Sequence, residues 1–219
     1  DDGRVQARDL QGRDVKLPMK KRIIIAGSGG QGVLFFGKLL AYAAMLEGRE
    51  VSWFPSYGAE MRGGTANCTV IISDSMIGSP VIRNPDMLVV MNDASYQRFV
   101  EKLSPGGILI YDPSMIHSTT QRDDIKLVTI AAGELASAMN SAILANMALL
   151  GAFIAATGAV DVNSALRALD ENTPAHRRDM LRVNKAIVLK GYDSLRNKTP
   201  AAPHTRGISS RHATTEDRH

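Results

Sequence analysis

Residues 22–46 read RIIIAGSGGQGVLFFGKLLAYAAML, and this stretch decides the fold. Ile23-Ile24-Ile25-Ala26 is a short run of β-branched and small apolar residues, the composition of a buried strand. Gly27-Ser28-Gly29-Gly30-Gln31-Gly32 follows, and then a long apolar segment without a charge until Lys38. Strand, tight glycine turn and helix is the reading. Small residues in such a turn let the backbone approach a bound group. The first N–H groups of the helix then point at that group with the positive end of the dipole behind them. The stretch is therefore a candidate anion seat, with Gly27, Ser28, Gly29, Gly30, Gln31 and Gly32 as its residues.

Outward from that turn, strands and helices alternate. Gly48 caps the first helix, and Val51–Phe54 forms a second strand, stopped by Pro55. A loop, 55–64, leads to a third strand at Thr65–Ser73, where Ala66, Cys68, Val70 and Ile72 alternate with Asn67, Thr69 and Ile71. A short return strand is expected at Ile77–Ile82. Met87–Met91 is uninterruptedly apolar, as a central parallel strand should be. Ala94–Leu103 reads as helix, Ile108–Tyr111 and Lys126–Ile130 as strands. From Ala132 the chain turns helical: Ala132–Met139, Ser141–Ala156, a segment N-capped by Asp161, and a last helix from Pro174 to Lys190 with Gly191 after it. The expected fold class is α/β, a doubly wound, mostly parallel sheet of Rossmann-like type with a helical C-terminal part.

One α/β domain over 19–192 suits a chain of 219 residues with 44% hydrophobic and 22% charged content. Met19-Lys20-Lys21 looks like an ordinary protein start, so 1–18 is expected as a disordered extension. The Thr-, Pro-, Ser-, Arg- and His-rich residues 193–219 are expected as a disordered tail. Half of the formal net charge of +4 lies in these tails, and aromatics are 5%, so nucleic-acid binding is disfavoured. A single cysteine excludes an intrachain disulfide and a cysteine-ligated iron–sulfur cluster held within this chain. A reducing cytoplasm fits. The apolar stretch near Ile143–Thr157 is short and rich in alanine and glycine, which favours a buried helix over a membrane span.

Gly27-x-Gly29-x-x-Gly32 has the spacing of a dinucleotide fingerprint. That pattern needs an acidic residue at the end of the second strand to hold a ribose hydroxyl. Here that strand ends in Trp53-Phe54-Pro55-Ser56, while Glu47 and Glu50 precede it. A nicotinamide site is disfavoured on that ground. The plainer alternative is that the glycines only let the helix pack closely on the sheet. A second glycine loop, Arg62-Gly63-Gly64-Thr65, falls on the same carboxyl edge, where open α/β sheets bind ligands. Arg62 offers a fork of donors to phosphate or carboxylate, Gly63 and Gly64 expose backbone N–H groups, and Tyr57 and Trp53 are placed to cover a ligand or a partner chain. Ordinary packing is preferred for Trp53. Cys68, mid-strand among apolar neighbours, reads as an inert core thiol. His117 and His176 have no partners at ligand spacing, so no metal site is expected.

The two loops together, GSGGQG and WFPSYGAEMRGGTANCTVIIS, resemble the gamma subunit of 2-oxoacid:ferredoxin oxidoreductases. The later segments IGSP, DMLVVMN, PGGILIYDPS and NMALLGAF stand in the same order as in that family, and the resemblance covers about residues 20–192. The SYGAEMRGGTANC wording is most similar to the 2-oxoglutarate or branched-chain type; indolepyruvate enzymes carry a different version of the loop. The resemblance implies a subunit inactive alone. Its partners would be alpha and beta subunits and, where present, delta, with electrons leaving to ferredoxin. Thiamine diphosphate, its magnesium and the iron–sulfur clusters would sit on those partners. Coenzyme A would be the co-substrate at the complex, and the gamma domain would lie on its side of the site. Catalytic residues are not expected on this chain. Two other readings remain open at this point: a free-standing nucleotide-binding oxidoreductase, and a scaffold subunit with no ligand of its own.

Overall fold

The computed structural model describes residues 6–8, 14–16, 19–57, 65–173 and 178–196. Within them the central element is β3, Lys20–Ser28, whose Ile23, Ile24, Ile25 and Ala26 are at most 3% exposed. A strand buried on both faces needs partners on both edges. β3 has β6 (Met87–Val90) alongside in parallel and β5 (Thr65–Ser73) in antiparallel. Beyond β6 lie β7 (Ile108–Tyr111) and β8 (Lys126–Thr129), both parallel; beyond β5 lies β4 (Glu50–Tyr57). The order is β4-β5-β3-β6-β7-β8. The expected mostly parallel α/β sheet is present, and the strands flanking the loop 58–64 make its antiparallel part.

Helices cover both faces. On one face α1 (Val33–Leu46) packs with α3 (Ala132–Ser137), α4 (Ala145–Thr157), α5 (Val162–Asn172) and α6 (Arg178–Arg196) over Ile23, Ile25, Cys68, Val70, Val89 and Ile110. Phe36 of α1 and Phe153 of α4 meet edge to face at 5.9 Å, a geometry that adds to their area burial. On the other face α2 (Asp93–Phe99) and the 3-10 turn after it cover Ile24, Leu88, Val90 and Leu109 with Tyr96, Phe99, Val100 and Leu103. Each fully buried side chain of this size contributes about 1.5–3 kcal/mol, so these two layers hold the sheet.

Three expectations change. No strand forms at 77–82; Gly78, Pro80 and Pro85 break any ladder there, and Met76 and Val81 are left largely exposed. Gly191 does not end the last helix. It lies inside α6, which runs to Arg196. The reason is packing: a Cβ on Gly191 would meet the Ala148 carbonyl, and one on Gly151 would meet the Val188 carbonyl and the Tyr192 nitrogen, so α4 and α6 touch backbone to backbone. The N-terminal extension is not wholly without structure. β1 (Gln6–Arg8) pairs antiparallel with β2 (Asp14–Lys16), a register that sets Arg8 across from Asp14. Such a ribbon is marginal by itself. Pro174 and the tail beyond Arg196 lie outside the described residues.

Candidate functional site

After β3 the chain passes to α1 on one face; after the adjacent β6 it passes to α2 on the other. Two neighbouring parallel strands whose helices leave in opposite directions open a crevice at their carboxyl ends, the usual ligand position of such sheets. The glycine turn borders that crevice.

Its geometry separates the jobs of the residues. Gly27 is a packing glycine: an added Cβ would come within 2.7 Å of Gln31 Oε1 and 2.9 Å of Val33. Gly30 has open space around it but a φ of +96°, and Gly32, with φ +75°, also has Asn146 against the place of a Cβ. Both positions require the left-handed region that glycine enters without cost. The packing alternative raised by the sequence thus holds for Gly27, while Gly30 and Gly32 shape the turn.

Gln31 turns inward. Its Oε1 accepts the Ser28 N–H at 2.7 Å and its Nε2 donates to the Met91 carbonyl at 2.8 Å, which ties the turn to the end of β6. Asn92 adds a second tie. Its Nδ2 donates to Ser28 Oγ at 2.5 Å, while its Oδ1 caps α2 by accepting the Ser95 N–H at 2.8 Å. Because Ser28 Oγ accepts a hydrogen bond from Asn92, its own O–H is left to point elsewhere. The start of α1 has no side-chain cap and no acidic residue in its first turn. Its positive end is therefore not compensated locally.

The second loop lies outside the described residues: Arg62, Gly63 and Gly64 belong to 58–64. Its two ends are described. Tyr57 ends β4 opposite Ala66, and Thr65 begins β5 directly opposite Ser28. Trp53 lies against Gly37 of α1 and is 37% exposed, while Phe54 on the same edge strand is 57% exposed.

Asn92, Asn146 and Asn184 are absent from the sequence-based set. Asn92 had a signal, since an asparagine between an apolar strand and Asp93 is an N-cap pattern. Asn146 had none, because its contact is Gly32, 114 residues away. Both Asn146 and Asn184 are 7% exposed, and among the described residues the Oδ1 of each has no hydrogen-bond partner.

Elsewhere among the described residues the buried side-chain polar atoms have partners. Asp112 is buried, with Oδ1 accepting from the Ser114 N–H and hydroxyl and Oδ2 from the Gly133 N–H. Hydrogen bonds from Ser118, then from the His117 backbone, hold the Asp93 carboxyl below the usual carboxylate range. Among the described residues no group of three His, Cys, Asp or Glu could hold a metal, and no helix is long and apolar enough to cross a membrane. Cys68 is fully buried, and that burial pushes its thiol up to about 12 against smaller opposing hydrogen bonds from Trp53 and Gly37. At pH 8, four units below 12, only about one thiol in ten thousand is ionised. The folded chain is expected to resist thiol reagents at that pH and to release one equivalent on denaturation. Rapid native-state labelling would contradict the burial.

The chain matches the pyruvate ferredoxin/flavodoxin oxidoreductase family over residues 22–194. Among curated relatives, the 2-oxoglutarate synthase subunit KorC of Methanothermobacter marburgensis is 37% identical over 163 residues, 71% of this chain and 88% of that protein. The ketoisovalerate oxidoreductase subunit VorA of the same organism is 42% identical over 134 residues, 61% of this chain but only 28% of that longer protein. A keto/oxoacid ferredoxin oxidoreductase gamma subunit from Geobacter sulfurreducens superposes with a TM-score of 0.71 at 25% identity, covering 80% of this chain and 95% of that one. The 2-oxoglutarate:ferredoxin oxidoreductase of Magnetococcus marinus, solved with 2-oxoglutarate, coenzyme A and succinyl-CoA bound, gives 0.75 at 25% identity, over 84% of this chain and 32% of that one.

Proposed function

The chain belongs to the pyruvate ferredoxin/flavodoxin oxidoreductase family, and from that premise we propose that it is the gamma subunit of a 2-oxoacid:ferredoxin oxidoreductase. The reaction proposed for the complex takes a 2-oxoacid and coenzyme A to the acyl-CoA and carbon dioxide, with two electrons leaving to ferredoxin. Thiamine diphosphate with its magnesium supplies the decarboxylation chemistry and iron–sulfur clusters carry the electrons. Those groups are assigned to alpha, beta and, where present, delta subunits, because the single buried Cys68 is no cluster ligand set. A cytoplasmic location is part of the same proposal.

This chain's own part is to face coenzyme A and to help assemble the complex. The observation that carries the first role is the register that sets Thr65, the exit of the Arg62 loop, across from Ser28 in the glycine turn. Two loops that suit an anion then border one edge. The uncapped start of α1 favours a negative group there, and the Ser28 hydroxyl, already accepting from Asn92, has its proton to give. Arg62 with Gly63, Gly64 and Thr65 would complete the seat for a phosphate of coenzyme A, with Tyr57 beside them. Support from outside the chain is the coenzyme A in the Magnetococcus structure.

For the 2-oxoacid, 2-oxoglutarate is favoured by the KorC match, which spans nearly that whole protein. A branched-chain 2-oxoacid is the second reading, on the higher identity to VorA. Comparing the rates of the assembled complex with 2-oxoglutarate and 2-oxoisovalerate separates them. The test of the seat is Arg62→Ala in that complex, assayed by 2-oxoacid-dependent reduction of a viologen dye. The KM for coenzyme A is expected to rise about tenfold, as for one charge-assisted hydrogen bond lost, with the KM for the 2-oxoacid little changed. Equal shifts in both would leave the loop a structural role. Failure of the chain to join any complex, or dye reduction without coenzyme A, would sink the proposal.

A further inference from the structure

The hydrogen bonds of Asn92 fix the orientation of its amide. The Ser95 N–H can only donate, so the atom it meets at 2.8 Å must be Oδ1. The atom 2.5 Å from Ser28 Oγ is then Nδ2, which can only donate. No flip of the amide satisfies both bonds. A direction follows. Ser28 Oγ must accept, and its proton must point away from Asn92.

The other polar groups of Ser28 are also committed. Its N–H donates to Gln31 Oε1 at 2.7 Å, and its carbonyl accepts the Gln31 N–H at 3.1 Å. The hydroxyl proton is what these bonds leave over. By the alternation of β3, the side chain lies on the sheet face of Ile24 and Ala26, directly opposite Thr65. With Asn92 following β6, the hydroxyl stands at the crevice between the two strands. The nearby Asp93 carboxylate has its Oδ1 engaged by the N–H groups of His117 and Ser118. A serine held in this way offers a donor and no acceptor. It suits a ligand oxygen that carries charge and no hydrogen, as in a phosphate, and offers nothing to an N–H.

We propose that Asn92 is a positioning residue for coenzyme A: by donating to Ser28 Oγ it fixes that serine as a donor toward a phosphate in the crevice. The inference rests on the gamma-subunit reading and on the anion seat proposed at the glycine turn. Asn92 acts through Ser28. Hydrogen bonds in line polarise one another, so the run from the Ser95 N–H through Asn92 to Ser28 also sharpens the hydroxyl as a donor.

Asn92→Ser and Asn92→Asp test this in the assembled complex. Asparagine, serine and aspartate are about equal as N-caps, so the cap on α2 survives both changes. The melting temperature is expected to fall by no more than about 4 °C, as for one hydrogen bond lost. What reaches Ser28 differs: a donor in the wild type, nothing from the shorter serine, an acceptor from the carboxylate. The KM for coenzyme A is expected to rise about three- to tenfold for Asn92→Ser and about tenfold or more for Asn92→Asp, where the carboxylate takes the Ser28 proton and turns the hydroxyl lone pairs on the phosphate. The KM for the 2-oxoacid should stay within about twofold. Ser28→Ala is the control. In that background Asn92→Ser should add nothing to the KM for coenzyme A, because the group it positions is gone. Full additivity overturns the inference. So does a KM for coenzyme A unchanged in both Asn92 variants, or an equal shift in both KM values, which would leave Asn92 only as the cap of α2. A KM for coenzyme A unchanged in Ser28→Ala alone is a separate failure: it removes Ser28 from the proposed seat before position 92 is altered, and this inference falls with it. If the unaltered chain joins no complex, the gamma-subunit reading itself fails.

Discussion

Gly151→Ala is expected to destabilise the chain by about 2–3 kcal/mol, the cost of overpacking a closed contact. The sign is what makes the experiment informative. In a helix interior free of neighbours, alanine is better than glycine by about 1 kcal/mol, so the substitution would raise the melting temperature. Here the new methyl would meet the Val188 carbonyl and stand about 2.7 Å from the Tyr192 nitrogen. Those are backbone atoms of α6, and no rotamer change moves them aside. At roughly 2–4 °C per kcal/mol for a chain of this size, the midpoint should fall about 4–12 °C in a thermal or denaturant melt. Gly191→Ala makes the reciprocal intrusion on the Ala148 carbonyl and should cost a similar amount. The double variant should cost less than the sum, since the first methyl already parts the helices. Gly78→Ala is the control, with nothing within 4 Å of its Cβ and an expected change within about 0.5 kcal/mol. A rise in melting temperature for Gly151→Ala would mean the two helices do not touch there.

That crossing also marks where sequence reading stopped. An isolated glycine late in a helical pattern reads as a cap, and Gly191 is read so. Its real partner is Ala148, 43 positions earlier, and nothing local signals a backbone contact between distant helices. The strand expected at 77–82 fails for a different reason: Ile77, Val81 and Ile82 have the composition of a strand, but Gly78 and Pro80 interrupt the run, and a proline has no N–H to give a ladder. The central elements were legible because they are written locally. Ile23-Ile24-Ile25-Ala26 before Gly27 could hardly be other than a buried strand entering a turn, and Met87–Val90 beside it is the same message. At the candidate site the sequence marks the backbone of the turn, where only glycine fits. It does not show that Gln31 folds inward, since the partner of its Nε2 is 60 residues away.

Gln31→Glu should therefore be the most telling change at the site, with a rise of about ten- to a hundredfold in the KM for coenzyme A and a smaller rise in that for the 2-oxoacid. Glutamate is the same size and keeps an acceptor for the Ser28 N–H. It loses the donor to the Met91 carbonyl, so one hydrogen bond of 2.8 Å becomes a contact between two oxygens. It also sets a negative charge at the uncapped start of α1. A bound phosphate about 5 Å away would feel a repulsion on the order of 3 kcal/mol at an effective dielectric constant near 20, and less where water reaches the turn. That is the origin of the expected range, since each 1.4 kcal/mol is a factor of ten. Gln31→Met separates charge from structure. It removes both hydrogen bonds without adding a charge, so it should cost comparable stability and shift the KM for coenzyme A far less. If Glu and Met raise that KM equally, the turn acts on the site through its shape. If neither does while both lower the melting temperature, Gln31 only ties β3 to β6, and the anion seat belongs to the Arg62 loop alone. A KM effect confined to Gln31→Glu and weakened by added salt is the result that an anion held by the glycine turn requires.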